Sequence, residues 1–327
     1  MSYRSVSVRV LLLLACTIVI VAFKSSGAGS RAQNRPARTS ASERVQQTVA
    51  NGDVVRLSAP AKPASGAGVN GANLAVFDAA SSSNVLLQTT LEWSFGGKVQ
   101  RGWSLYTPLI GDLIGAGVDA GGSEFAMRLS LWQREKGIEP SGVLDGETWS
   151  QMVAKFQSRR NVGRAFSALN QLVTIPISDC YDPTRAEELR SAERETFAAY
   201  KRMVAAAVAD PSLGLQVGGN GQLASNEKFL KIISAFRSPA YQQQLRRQSP
   251  NSGSAGLAIN SPHSTGRALD LYVGGDPVST KDQNRALQTQ SAVYRWLVKN
   301  AARFGFQPYF YEPWHWEYVG VGSAVAK

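Results

Sequence analysis

The chain is poor in the two residues that most often carry metal or nucleophile chemistry. Its 327 residues include two histidines and two cysteines. Cys16 and Cys180 cannot build a disulfide framework or a thiolate metal cage. Cys16 follows Leu13-Leu14-Ala15, a degraded lipoprotein pattern whose apolar run continues past the cysteine and so argues against cleavage there. Cys180 has no second cysteine in the body of the chain, so it reads as a small buried residue and not as a catalytic thiol. An apolar run of membrane-spanning length is also missing. The longest is 10–23, fourteen residues, where a full span needs about twenty. Preceded by Arg4 and Arg9 and followed by Lys24, residues 1–24 read as an export signal, with a short uncleaved membrane anchor as the alternative.

Charge is unevenly placed. Residues 1–62 hold nine Lys/Arg and two Asp/Glu, which is +7 of the formal +11; the other 265 residues carry +4. A basic groove for nucleic acid is therefore not indicated. The basic leader suits a solvated tail, or an anionic membrane or wall polymer. Residues 25–72 are rich in Ala, Ser, Gly, Arg and Pro without apolar periodicity, and a flexible linker is expected over 25–91, with order beginning between Leu74 and Leu91.

Two folded parts are expected beyond the linker. Over 92–165, Phe125, Leu129 and Trp132 recur at helical spacing, Gly137 closes that helix, and Gly142 opens a turn. Asp145 then caps a second helix through Trp149, Met152, Val153 and Phe156. Residues 165–180 read as a connector and an entry strand leading into the second part. Over 180–322, Asp182-Pro183-Thr184 signals a long helix to about residue 209, and the apolar run 229–236 a central strand. A helix is expected at 239–247, a loop at 249–262, and a strand carrying Asp270 at 268–273. One amphipathic helix over 284–303 and closing strands at 304–310 and 315–319 complete the pattern. Helices and strands mix without a regular β-α repeat, which indicates an α+β fold and excludes a doubly wound sheet.

The two histidines are where the chemistry gathers. His263 is followed seven residues on by Asp270, and His315 is preceded three residues back by Glu312. Two imidazoles and one carboxylate suffice for a catalytic zinc site that keeps a fourth position for water. The additional glutamate is the base that such a site requires. A lone histidine is more often a satisfied core or surface residue, but here both have carboxylate neighbours and there are no others to choose from. Gly266 lets the chain turn between His263 and Asp270.

Three motifs in order then become recognisable: Ser234-Ala235-Phe236-Arg237-Ser238, Ser261-Pro262-His263-x-x-Gly266-x-Ala268-x-Asp270, and Glu312-Pro313-Trp314-His315. Residues 180–320 resemble the VanY-like D-alanyl-D-alanine carboxypeptidases, zinc peptidases that share a fold with the hedgehog signalling domain. The resemblance implies Zn²⁺ held by His263, Asp270 and His315, Glu312 as general base, and Arg237 on the substrate or the developing oxyanion. It implies trimming of the peptidoglycan stem peptide at its terminal D-alanine, in an exported protein of the cell envelope. Ser261-Pro262 departs from the more usual Pro-Gly, and Trp314 and Trp316 suit either a pocket wall or the core. Glu317 suits either a partner of His315 or an exposed position. The stretch 127–152, with Trp132-Gln133, Gly137-Ile138, Ser141-Gly142-Val143-Leu144-Asp145 and Thr148-Trp149, resembles the peptidoglycan-binding-domain-1 repeat. That resemblance implies a helical module that holds cell-wall polymer; an ordinary helical hairpin with core aromatics is the alternative. The pattern leaves open an endopeptidase of the same fold, D,D against L,D preference, and a non-catalytic peptidoglycan-binding protein.

Overall fold

The computed structural model describes residues 75–160, 167–248 and 261–321. The signal or anchor at 1–24, residues 25–74 of the linker and most of the 249–262 loop lie outside the described residues. None of the described helices is long and apolar enough to cross a membrane.

Helix α1 (Asp78–Thr90) falls inside the expected linker and corrects its boundary. Its inward side is Ala80, Ser81 and Asn84, too small and polar to read as an apolar stripe. What holds it is a polar plug. Asn84, fully buried, donates to the Gly142 carbonyl at 2.9 Å and accepts from the Leu144 amide at 2.8 Å. A hairpin follows, β1 (Glu92–Phe95) against β2 (Lys98–Arg101), and then α2 (Thr107–Ile114). Helix α3 (Ser123–Glu135) buries Phe125, Leu129 and Trp132, as its spacing predicts. Helix α4 (Gly146–Ser158) is capped by Asp145, whose side chain accepts from the Thr148 amide. Between them the chain turns through Gly142 at φ +71°, where a Cβ would lie 2.7 Å from the Ala126 carbonyl oxygen.

The expected helix from 182 starts later. Asp182 spends its carboxylate on a local turn, accepting from the amide and hydroxyl of Thr184. The chain then forms β4 (Ser191–Glu193), paired with β3 (Leu172–Thr174). Helix α5 (Arg194–Val208) begins only where the Glu193 side chain caps the amides of Glu195 and Thr196. Strand β5 (Ile232–Ser234) is shorter than the apolar run and stands at the end of the four-stranded sheet, not its centre. Helix α6 (Pro239–Gln248) and strand β6 (Ala268–Leu271) fall where expected. The expected helix over 284–303 is two, α7 (Asp282–Gln290) and α8 (Ala292–Asn300). Ser291 breaks it by adopting extended backbone and capping the Tyr294 amide. Strands β7 (Phe306–Pro308) and β8 (His315–Tyr318) close an antiparallel sheet in the order β5-β6-β8-β7. The fold is α+β.

The helical segment and the sheet share a core. Tyr106 stacks on Phe310 of the β7–β8 loop with ring centroids 4.2 Å apart, and Trp149 and Phe156 pack on the same ring. All described residues belong to one compact unit, and packing continues across the boundary that composition suggests near 165–180. Trp314 and Trp316 are both core residues; the Trp316 indole donates to the Pro313 carbonyl. Cys180 is buried and carries no disulfide among the described residues, and burial raises its thiol pKa, as suits an inert core residue.

Asn84 gives the first test. Asn84→Ala strands a buried carbonyl and a buried amide, so urea unfolding should show a loss of about 2–3 kcal/mol. A loss under about 0.5 kcal/mol would place α1 outside the cooperative fold.

Candidate metal centre

The sheet places the site by register. Asp270 on β6 stands directly opposite His315 on β8, and Ser234 on β5 pairs with Asp270 from the other side. Residues in register on neighbouring strands project from one face, so three strands deliver a row of Ser234, Asp270 and His315. His263 arrives from a 3-10 turn, Pro262–Thr265, capped by Ser261 and closed by Gly266. Gly266 has φ +65°, and a Cβ there would lie 2.8 Å from the Glu193 amide nitrogen. The close approach lets Glu193 N donate to the Gly266 carbonyl at 3.0 Å, tying the turn to β4.

His263, Asp270 and His315 are each at most 3% exposed, and one donor atom from each lies within 4.8 Å of the others. The hydrogen bonds fix which atoms those are. His263 Nδ1 donates to the Ala235 carbonyl at 2.7 Å. Burial, with Arg237 nearby, lowers the His263 pKa to about 4 despite Asp270, so the ring is neutral at pH 7. Its Nε2 then carries a lone pair and faces Asp270 Oδ1 at 3.2 Å. Two acceptors turned on each other in a dry site are a place for a cation.

His315 has a carboxylate at each nitrogen: Nδ1 is 2.9 Å from Asp270 Oδ1 and Nε2 is 3.2 Å from Glu317 Oε1. Burial alone would lower its pKa, but those bonds raise it to about 9. Burial likewise works to raise the acids, yet the two histidines hold Asp270 well below its usual range. His315 and Arg160 hold Glu317 down to about 2. The imidazolium is thus the positive charge that balances this acidic pocket.

The donor set fits zinc. Zinc bonds to nitrogen and oxygen of about 2.0–2.2 Å place tetrahedral neighbours about 3.3 Å apart. The separations of Asp270 Oδ1 from the two imidazoles, 3.2 and 2.9 Å, are of that size. In such a site His263 Nε2, an Asp270 oxygen and His315 Nδ1 would be the ligands. Ala235 and Glu317 would hold the other ring nitrogens, the outer support that metal-binding histidines usually have.

Glu312 sits partly buried in the β7–β8 turn. Its amide donates to Tyr309 O, and its carbonyl accepts from the His315 amide at 2.9 Å. Burial raises its carboxyl to about 7, with His315, Asp270 and Arg237 as the principal charges acting on it. Arg237 donates from Nη2 to Asp270 Oδ2 at 3.0 Å and from Nε to Ser234 Oγ at 3.2 Å. One part of it therefore holds the Asp270 carboxylate, a contact that sequence reading did not anticipate.

Two more residues, Arg160 and Tyr309, were missed, and a third, Glu317, was left between two readings. Glu317 is 1% exposed and bonded to His315, which decides between the two readings of it. Arg160 bonds Glu317 and lies over the Tyr309 ring, 3.7 Å from its centroid. Tyr309 in turn stands edge-on to His315 at 5.8 Å. Only the alternation of His315 and Glu317 on one strand gave a local signal; Arg160 is 157 positions away.

Residues 221–321 match the family model of VanY, D-alanyl-D-alanine carboxypeptidase. No curated protein matches the chain. Among solved structures the chain is similar to one described as "Structure of the LdcB LD-carboxypeptidase reveals the molecular basis of peptidoglycan recognition". The identity is 20%, over 50% of this chain and 73% of that one, with a TM-score of 0.33. A likeness so slight bears on neither substrate nor mechanism.

A stability profile tests the electrostatics of the site without metal. In chelator, His315 is charged in the folded protein up to about pH 9 but neutral above about pH 6.5 when unfolded. Between those values the folded state holds the extra proton, so its stabilising effect is complete at low pH and fades as pH rises through about 9. Unfolding free energy should therefore fall between about pH 7.5 and about pH 9, by at most about 1.4 kcal/mol per unit. A flat profile would show that His315 is neutral. His263, Asp270, Glu312 and His315 all lie within residues 221–321, the segment similar to the VanY D-alanyl-D-alanine carboxypeptidase family.

Proposed function

We propose that the chain is a zinc-dependent D-alanyl-D-alanine carboxypeptidase that trims peptidoglycan stem peptides in the cell envelope. The observation that carries the reading is the convergence of His263, Asp270 and His315 beside Glu312 within the VanY-matching segment. His263, Asp270 and His315 would hold a zinc ion, which would supply Lewis acidity toward a peptide carbonyl and toward water.

The chain's own residues do the rest. Glu312, with its carboxyl raised to about 7, is poised to take a proton from the attacking water and give it to the departing amine. Arg237 holds one oxygen of Asp270, and its charge is close enough to act on the Glu312 carboxyl, so a peptide carboxylate or oxyanion bound between them would meet it. Burial of the ligands keeps competing water from the imidazoles.

The helical segment is a candidate for holding wall polymer, but not through the aromatics of its resemblance. Trp149 is 1% exposed and Trp132 6%, both committed to the core. A polymer would meet the outward faces of α1 and α3 instead.

Two results check the reading. Zinc-loaded protein incubated with purified muropeptides should release one terminal alanine per stem, seen as a mass loss, and chelator should abolish it. Products cut within the peptide would replace the carboxypeptidase reading with an endopeptidase. Glu312→Gln should keep its zinc and lose about 10²- to 10⁴-fold in rate. A variant that instead loses zinc, with normal turnover per bound metal, would make Glu312 a ligand.

A further inference from the structure

Arg160 lies two residues past the end of α4. Its Nε donates to Glu317 Oε1 at 2.9 Å, and its Nη2 reaches the same oxygen. Glu317 is 1% exposed, and Oε1 is also the atom that receives His315 Nε2. A carboxylate this deep needs a fixed cation to stay charged and aimed. The guanidinium is itself fixed, packed flat over Tyr309 with 15% of its side chain exposed.

A second contact runs beside it. Gln157, three residues earlier, donates to the Pro308 carbonyl at 3.3 Å and accepts from the Phe310 amide at 3.5 Å. The end of α4 therefore grips β7, the turn and β8 together. His315 lies on that strand pair and Glu312 on that turn.

We infer that Arg160 is a positioning residue of the metal centre: it acts through Glu317 to fix the ring of His315, and so makes the helical segment a working part of the site. The inference rests on the zinc reading above. The contacts of Arg160 are with Glu317 and Tyr309, not with the proposed ligands. Its effect passes through one carboxylate oxygen, and that chain of contact can be broken at either end.

The test uses the full chain with Arg160→Gln, Arg160→Lys, Glu317→Gln and the double variant Arg160→Gln/Glu317→Gln. Zinc affinity is read by competition with a chromophoric chelator, alongside thermal melts. Losing an outer partner of a metal-binding histidine typically costs about 10- to 100-fold in affinity, so Arg160→Gln and Glu317→Gln should each weaken zinc by at least about tenfold. Lysine should recover part of the loss, since it keeps the charge without the fork. With Glu317 already replaced, Arg160→Gln should add less than about threefold, because what it orients is gone. Additive losses, or zinc affinity unchanged in either single variant, would overturn the inference and return Arg160 to the scaffold. Should Arg160→Gln fail to fold, Glu317→Gln alone decides, since normal zinc affinity there breaks the proposed path. A wild-type chain that takes up no zinc would overturn the zinc reading and this inference with it.

Discussion

The buried carboxylate of Asp270 is the constraint that the rest of the site obeys. It is 2% exposed and shared by two imidazoles and a guanidinium. An ionised carboxylate in such a place is tolerable only if positive charge is held against it from fixed directions. Strand register supplies the His315 imidazolium, and the residue row ending in Ser234 holds the Arg237 guanidinium, while a capped 3-10 turn sets the neutral ring of His263 beside them. Because side chains alternate along a strand, slipping β6 against β8 by one residue would turn Asp270 and His315 to opposite faces. The pairing that forms the sheet is therefore also the pairing that forms the site.

The outer contacts show how that row is kept rigid. Each imidazole has one nitrogen committed to the protein: His263 to the Ala235 carbonyl, His315 to Glu317. The remaining nitrogens, His263 Nε2 and His315 Nδ1, both face Asp270 Oδ1. A ring held at one nitrogen presents the other without having to be ordered on binding, which lowers the entropic cost of taking up an ion. Packing extends the same rigidity outward. The stack of Tyr106 on Phe310 and the reach of Arg160 to Glu317 bind the helical segment to the strand pair that bears His315.

What could be read from sequence follows from how local each signal is. The three clustered residues were legible as candidate ligands because histidine is so scarce and because its carboxylate neighbours lie within seven positions. Helices α3 and α4 were legible from apolar spacing and the Asp145 cap. Helix α1 was not, because Asn84 anchors it through polar contacts and its other buried residues, Ala80 and Ser81, make no apolar stripe. The early start expected for α5 failed because Asp182 caps a turn as readily as a helix, and only pairing with β3 decides that Ser191–Glu193 is extended. The break at Ser291 is a single cap inside a continuous amphipathic pattern. Arg237 was found but half understood: its motif pointed to substrate, while its bond to Asp270 depends on a contact 33 positions away. Arg160 and Glu317 meet only through the fold, and no spacing rule reaches that far.

The claim on which the account stands is that these three side chains form one zinc centre. X-ray absorption at the zinc edge, on protein carrying a single equivalent of zinc, reads the coordination shell directly. Four light-atom neighbours at about 2.0–2.1 Å are expected, with the outer-shell scattering of two imidazoles, and loss of one imidazole in His263→Ala. A six-coordinate shell of oxygen alone, unchanged by that substitution, would contradict it.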